Sequence, residues 1–136
     1  MVYFHYLSSK VYTSYAVLVV LYVVGWLPLF ILQKSLPQGT DKILHFSSFL
    51  GAILLCYLAL KPQKIFIKIL FIMGLLFVVA ITSELIQPLF PHHTFDPMDI
   101  VFNILGGTTG LLLALLIETL KEKRQKYYLK IVKYAD

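Results

Sequence analysis

The chain has 136 residues, of which 59% are apolar and only 14% are charged, and its formal net charge is +5. Soluble domains carry about 25% charged and about 45–50% apolar residues, so the composition excludes a disordered chain and an ordinary water-soluble domain. The apolar excess predicts contact with a lipid bilayer. The basic residues lie between and after apolar runs, which favours membrane lipids over nucleic acid as their partner.

Four apolar segments follow one another along the chain. Each is long enough, at about 1.5 Å per helical residue, to cross a hydrocarbon core of about 30 Å. The predicted spans are residues 12–32, 43–60, 65–87 and 98–117. We therefore predict an all-α integral membrane protein whose four transmembrane helices form one bundle over residues 1–117.

Residues 118–136 form a basic juxtamembrane tail after the fourth predicted span. Tyrosines and other apolar residues recur in this tail at roughly helical spacing. Two interpretations stay open. The tail lies on the inner leaflet, held by lysines on anionic lipid, or it is a solvated helical extension that only sets the topology.

The distribution of basic residues predicts the orientation of the bundle. With four crossings, two Lys residues lie on one side and ten Lys and Arg residues on the other. The first group is Lys34 and Lys42, and the second is Lys10, Lys61, Lys64, Lys68, Lys121, Lys123, Arg124, Lys126, Lys130 and Lys133. We expect both termini to be cytoplasmic and the loops 33–42 and 88–97 to face outward.

Polar residues gather where three predicted spans reach the outer side. They are Asp41, Lys42 and His45 at the start of the second span, Glu84 and Gln87 at the end of the third, and Asp96, Asp99 and Asn103 around the start of the fourth. Ionisable residues in or beside a membrane span are costly, and by default they mark a functional site. We predict that these residues share one ligand-binding site near the outer surface.

Several of these residues also have a structural explanation. Asp96 before Pro97 is typical of a helix N-cap, and Asp99 in the first turn would favour the helix dipole. Thr40 or Asp41 would similarly cap the second span. Glu84 has no such role, because the dipole opposes a carboxylate at the end of a helix.

The small residues Gly106, Gly107 and Gly110 predict close helix packing rather than chemistry. Gly106 and Gly110 form a small-xxx-small pattern that lets a second helix approach the backbone. We expect the partner helix to lie within the same bundle.

Three motifs in this region resemble the VanZ-like family. They are Asp41-Lys42-x-x-His45-Phe46, Glu84-x-x-Gln87 and Phe95-Asp96-x-x-Asp99-x-x-x-Asn103-x-x-Gly106. The resemblance implies a small multi-pass protein of the bacterial cell membrane, and the name-giving member of the family is linked to low-level teicoplanin resistance. His93 stands where the family commonly has an arginine, so an always-charged guanidinium is replaced by an imidazole that titrates near neutrality.

These residues suggest a binding function first. A lipid headgroup, a cell-wall precursor or a lipophilic glycopeptide would be bound, with Lys42 and His93 meeting anionic groups. Hydrogen bonds to the remainder of the ligand would come from Glu84, Asp99 and Asn103. We predict no resident cofactor or metal, and we leave self-association as a homo-oligomer open.

Two alternatives stand beside the binding function. In an intramembrane enzyme acting on a lipid or lipid-linked glycan, His45 would be the general acid or base, with Glu84 and Asp99 as the other candidate catalytic groups. A variant of that enzyme would hold a divalent ion on Asp41, His45, Glu84 and Asp99. In a structural or assembly subunit, the same polar groups would only bind helices together.

Overall fold

The computed structural model describes residues 17–22, 39–60, 64–89 and 94–135, and every regular element in these ranges is helical. Residues 17–22 are helical and are called α1. Three long helices follow: α2 (Thr40–Ala59), α3 (Ile65–Ile86) and α4 (Pro97–Ala135). A 3₁₀ turn, Gln87–Leu89, extends α3.

Three of these helical stretches are long and apolar enough to cross a membrane: Thr40–Ala59, Ile65–Leu89 and Pro97–Val132. They coincide with the second, third and fourth predicted spans, so the all-α membrane class is confirmed for the described residues. The first predicted span, 12–32, lies outside the described residues apart from α1.

The helix starts differ in part from the predicted ones. The N-cap of α2 is Gly39, with φ 86° and no side-chain cap hydrogen bond, so the prediction of a Thr40 or Asp41 cap was wrong. A positive φ is a conformation that glycine adopts without steric cost. Because α2 starts three residues before the predicted span, Asp41 and Lys42 lie in its first turn.

The fourth helix continues well past the predicted end of its span. It runs unbroken for 39 residues, to Ala135, which at about 1.5 Å per residue is about 58 Å. No helix end separates residue 117 from residue 118, so the division between span and tail rests on composition alone.

Close packing of α2 on α4 organises the bundle. A Cβ atom on Gly106 would collide with the backbone carbonyl of Phe46, and one on Gly110 would collide with that of Leu50. The two contacts have the same sequence offset, so α2 and α4 run in the same direction. Gly107 faces the third helix, where a Cβ atom would meet the side chain of Leu76.

α1 joins the bundle through α2. The Tyr22 hydroxyl donates a hydrogen bond to the carbonyl of Ser47 (2.7 Å). The Tyr22 ring occupies the space beside Gly51, where a Cβ atom would collide with it.

The buried residues of the three long helices form stripes, most of them with four-residue spacing, that line one core. The apolar core consists of Phe49, Ile53 and Tyr57 from α2, Ile72, Leu76 and Ala80 from α3, and Leu111 and Ala114 from α4. Polar residues lie at the ends of each apolar stripe. In α3, Lys68 precedes the apolar residues and Glu84 follows them, and both are buried. An apolar core therefore lies between two polar layers.

Candidate functional site

Eight polar residues meet at the end of the bundle where α2 and α4 begin and α3 ends. We call them the Lys42 cluster: Asp41, Lys42 and His45 from α2, Glu84 and Gln87 from α3 and its 3₁₀ turn, and Asp96, Asp99 and Asn103 at the start of α4. Because α3 runs opposite to its neighbours, its last turn lies beside their first turns, which brings these residues together.

Lys42 forms the rim of this cluster by pairing with three carboxylates. Its ammonium group lies 3.2 Å from Asp41 Oδ2 and contacts Asp96 Oδ2 and Asp99 Oδ1. An ammonium group has three hydrogen-bond donors, so these three acceptors account for all of them. Asp99 is almost fully buried, whereas the Asp96 side chain is 40% exposed.

Asp96 is both a cap and an ion-pair partner. Its Oδ1 accepts a hydrogen bond from the backbone N–H of Met98 (2.8 Å), as predicted for the N-cap of a helix that begins at Pro97. Its other oxygen contacts Lys42. The Lys42 ammonium, followed by the Met98 N–H, holds the pKa of the Asp96 carboxyl below its ordinary value.

His45 is fully buried beneath this rim, between two side chains of α4. Its Nδ1 lies 3.0 Å from Asn103 Oδ1, and its Nε2 lies 3.2 Å from Asp99 Oδ2. An amide oxygen only accepts hydrogen bonds, so the contact with Asn103 requires the hydrogen on Nδ1. That hydrogen bond directs Nε2 toward the Asp99 carboxylate.

Glu84 contributes the second buried carboxylate from the opposite helix. Its Oε1 accepts a hydrogen bond from Gln87 Nε2 (2.5 Å) and lies 3.8 Å from His45 Nδ1. Within the described part of the chain, Glu84 Oε2 and Asn103 Nδ2 are buried without a hydrogen-bond partner. One acceptor and one donor in the interior are therefore left unsatisfied, which is costly away from water.

The Lys42 cluster carries more negative than positive charge. It contains four carboxylates, on Asp41, Glu84, Asp96 and Asp99, against Lys42 and the titratable His45. Two sets of three residues in the cluster could each hold a metal ion, because their ligand atoms lie within 4.8 Å of one another. One set, His45, Glu84 and Asp99, is buried. The other, Asp41, Asp96 and Asp99, is more exposed. The arrangement can therefore hold a cation or transfer a proton between imidazole and carboxylate.

A second polar group lies at the opposite end of the core. We call it the Lys68 cluster: Tyr57, Lys68 and Glu118. The Lys68 ammonium donates to Glu118 Oε1 (2.9 Å) and lies 3.9 Å from the centre of the Tyr57 ring, a cation–π geometry. The Tyr57 hydroxyl donates to the other oxygen of Glu118. Every charge in this cluster has a partner.

Comparison with known proteins places the chain in a family. A family profile described as VanZ/LLP1 matches residues 2–118. The chain belongs to the VanZ/LLP1 family. The resemblance found in the motifs is thereby confirmed, and with three apolar helices the chain is a VanZ-like membrane protein. No curated protein and no solved structure matches this chain.

The structure brings most of the predicted site residues of this VanZ-like protein into contact. All eight residues of the Lys42 cluster were named from the sequence. The ninth, His93, lies outside the described residues. Lys42 was expected to meet anionic ligand groups, and in the structure it meets three carboxylates of the protein itself.

The sequence analysis did not predict the Lys68 cluster of this VanZ-like protein. Lys68 was counted only as an orientation signal, Tyr57 lies in an apolar run, and Glu118 was assigned to the tail. The missed signal is Lys68 itself, since a charged residue inside a span requires a partner.

Proposed function

We propose that this VanZ-like protein is a binding module of the bacterial cell membrane whose Lys42 cluster faces outward. It would bind a lipid headgroup, a cell-wall precursor or a lipophilic glycopeptide. The observation that carries the proposal is the convergence of polar residues from three helices on one cluster with unsatisfied buried atoms. Polar groups of this kind in a membrane protein mark a functional site by default.

The proposed topology has four spans with both termini in the cytoplasm. The excess of basic residues in the second loop and the tail supports this orientation. The arrangement of the helices agrees with it, because the Lys42 cluster lies at one end of the core and the Lys68 cluster, next to the basic part of α4, lies at the other.

The charge of the cluster favours a ligand that is rich in hydrogen-bond donors. Lys42 is already paired with Asp41, Asp96 and Asp99, so binding an anionic group there would require breaking those pairs. Two partly exposed carboxylates, Asp41 and Asp96, would instead accept hydrogen bonds from ligand hydroxyl or ammonium groups. Sugar and amino-sugar headgroups carry such donors, and the cell-wall precursor and the glycopeptide both contain them.

Complementation tests this proposal. A strain that lacks the gene would receive wild type, Glu84→Gln, Asp99→Asn or the control Gly74→Ala, and teicoplanin sensitivity would be measured at equal membrane expression. Gly74 has open space around it, so Gly74→Ala should behave as wild type. We expect both cluster variants to lose protection. Full complementation by Glu84→Gln and Asp99→Asn would overturn the proposal.

An intramembrane enzyme remains the second candidate function. The specific observation in its favour is the His45–Asp99 contact, with Asn103 fixing the imidazole hydrogen on Nδ1. This arrangement suits a general acid or base. Incubating the purified protein with labelled lipid and lipid-linked glycan, followed by mass spectrometry, separates the two functions: turnover that is lost in His45→Gln favours the enzyme, and binding without turnover favours the module.

A further inference from the structure

We propose that His45, Glu84 and Asp99 hold a divalent transition-metal ion, Zn²⁺ or Mn²⁺, in the interior of the Lys42 cluster. The inference rests on the proposed function in one respect, because the ion would lie on the buried side of the proposed ligand site. Three arguments support it: the geometry of the donor atoms, the uncompensated charge and the chemistry of the ligand set.

The donor atoms come from three different helices and converge in the interior. One nitrogen of His45, one oxygen of Glu84 and one oxygen of Asp99 lie within 4.8 Å of one another, and all three residues are buried. The closest pair is His45 Nε2 and Asp99 Oδ2, at 3.2 Å. For metal–ligand bonds of about 2.0–2.1 Å, two ligands of one tetrahedral ion lie about 3.3–3.4 Å apart. Glu84 Oε1 lies 3.8 Å from His45 on the Nδ1 side, so the Glu84 side chain would have to turn toward Nε2 to complete the set.

Asn103 prepares His45 to act as a ligand. By accepting the hydrogen of Nδ1, Asn103 Oδ1 leaves the Nε2 lone pair directed toward Asp99 Oδ2. In the neutral imidazole, Nε2 and Asp99 Oδ2 are then two neighbouring acceptors, and a cation between them, either a proton or a metal ion, would make this contact attractive. Metal-binding histidines commonly donate their second ring N–H to such a partner, which fixes the tautomer.

Lys42 compensates the charge of the interior only in part. Lys42 contacts Asp99 through Oδ1 only, and its other partners are Asp41 and Asp96 at the rim. The groups that donate to Glu84 are neutral, the Gln87 amide and the Asp96 backbone N–H, and its Oε2 has no hydrogen-bond partner among the described residues. An uncompensated buried carboxylate is strongly unfavourable. A divalent ion bound to Glu84 and Asp99 would remove that cost.

The ligand set indicates the kind of ion. An imidazole nitrogen favours transition metals, whereas Mg²⁺ and Ca²⁺ prefer sites made only of oxygen ligands. Three protein ligands leave one coordination position open, as in zinc sites that act on a substrate. Water or an oxygen of the bound headgroup would take that position. The rim set of Asp41, Asp96 and Asp99 is already occupied by the Lys42 ammonium.

Metal analysis of the full-length protein tests the inference. The protein would be purified in detergent, stripped with a chelator, and titrated calorimetrically with Zn²⁺, Mn²⁺ and Mg²⁺. We expect one equivalent of Zn²⁺ or Mn²⁺ to bind and Mg²⁺ to bind far more weakly. Glu84→Gln should abolish the site, and Asn103→Ala should weaken affinity about 10–100-fold, as removal of a second-shell partner does.

The matched control is Glu118→Gln, the same chemical change in the Lys68 cluster, which should leave metal affinity unchanged. X-ray absorption of the Zn²⁺-loaded wild-type protein gives a readout that does not depend on any variant folding. It should show one imidazole nitrogen with oxygen ligands. Absence of bound Zn²⁺ and Mn²⁺, equal affinity in Glu84→Gln, or a spectrum without imidazole would overturn the inference.

The outcomes separate this inference from the proposed function. If no metal binds but Glu84→Gln still loses teicoplanin protection, the metal site is wrong and the binding function stands. If the metal binds as expected and Glu84→Gln complements fully, the metal site stands and the proposed binding function is wrong.

Discussion

The Lys42 cluster and the Lys68 cluster differ in how completely their charges and polar atoms are paired. In the Lys68 cluster, one ammonium, one carboxylate and one hydroxyl satisfy each other. In the Lys42 cluster, four carboxylates surround one ammonium and one imidazole, and two buried atoms lack partners among the described residues. A balanced cluster stabilises a fold, whereas an unbalanced one costs stability and persists where it binds something. From this difference we propose a structural role for the Lys68 cluster and a functional role for the Lys42 cluster.

We expect the largest change in the free energy of unfolding from a substitution in the Lys68 cluster. Glu118→Ala removes the partner of the Tyr57 hydroxyl and leaves the buried Lys68 ammonium uncompensated, which should cost about 3 kcal/mol in the free energy of unfolding. The double variant Lys68→Met/Glu118→Ala leaves no charge behind and should lose less. Denaturant titration in detergent measures both, and a double variant that loses the sum of its single variants would show that the pair is not coupled.

The next largest change in stability is expected at the contact between α2 and α4, the helices that contribute residues to both clusters. Gly106→Ala places a Cβ atom against the Phe46 carbonyl, and backbone cannot yield as a flexible side chain does, so unfolding should become easier by about 2 kcal/mol. Gly74→Ala is the matched control, because nothing lies within 4 Å of its Cβ position. Equal unfolding temperatures for the two variants would show that α2 and α4 do not approach each other as described.

The smallest effect separates the two roles of Asp96. Asp96→Ala loses the N-cap of α4 and should cost about 1 kcal/mol. Asp96→Asn keeps a capping oxygen and loses only the ion pair with Lys42, so it should cost less than Asp96→Ala, within about 0.2–1 kcal/mol. Thermal unfolding of the two variants beside wild type measures the difference. If Asp96→Asn proves as unstable as Asp96→Ala, the cap contributes nothing.

The difference in stability between wild type and Asp96→Asn should depend on pH. Because Lys42 lowers the pKa of Asp96 in the folded protein, the carboxylate stabilises the fold above its unfolded-state pKa of about 3.9. That contribution is lost as the pH falls through the lower, folded-state pKa. The stability difference between the two proteins should therefore be constant above about pH 5 and shrink below about pH 4. An unchanged difference at lower pH would contradict the ion pair.

The Lys42 cluster could be predicted from sequence because helix ends and polar residues coincide there. Segment length indicated where each span begins and ends, and a two-sided topology places the start of α2, the end of α3 and the start of α4 at one depth. Neither argument tells which atoms pair. The three carboxylates around Lys42 and the Asn103–His45 hydrogen bond depend on how α2 and α4 approach, which the glycines set through contacts distant in sequence.

The sequence analysis missed the Lys68 cluster, although Lys68 lies near the start of α3 just as Glu84 lies near its end. In α3, Lys68 and Glu84 lie on one stripe of residues spaced by four, with Ile72, Leu76 and Ala80 between them. That spacing does place Lys68 on the core side of α3. Its partner Glu118 lies beyond the predicted span, and only the unbroken course of α4 shows that this residue still contacts the bundle.

The most direct test of the contrast between the two clusters is the unfolding temperature of Glu84→Gln beside Glu118→Gln, both treated with chelator and measured in the same detergent with wild type. Glu84→Gln replaces a buried carboxyl group that no permanently charged side chain contacts in the described residues, so it should unfold at or above the temperature of wild type. Glu118→Gln breaks a satisfied ion pair and should unfold below it. A fall for Glu84→Gln as large as that for Glu118→Gln would contradict the account, because Glu84 would then hold the fold together in the same way as Glu118.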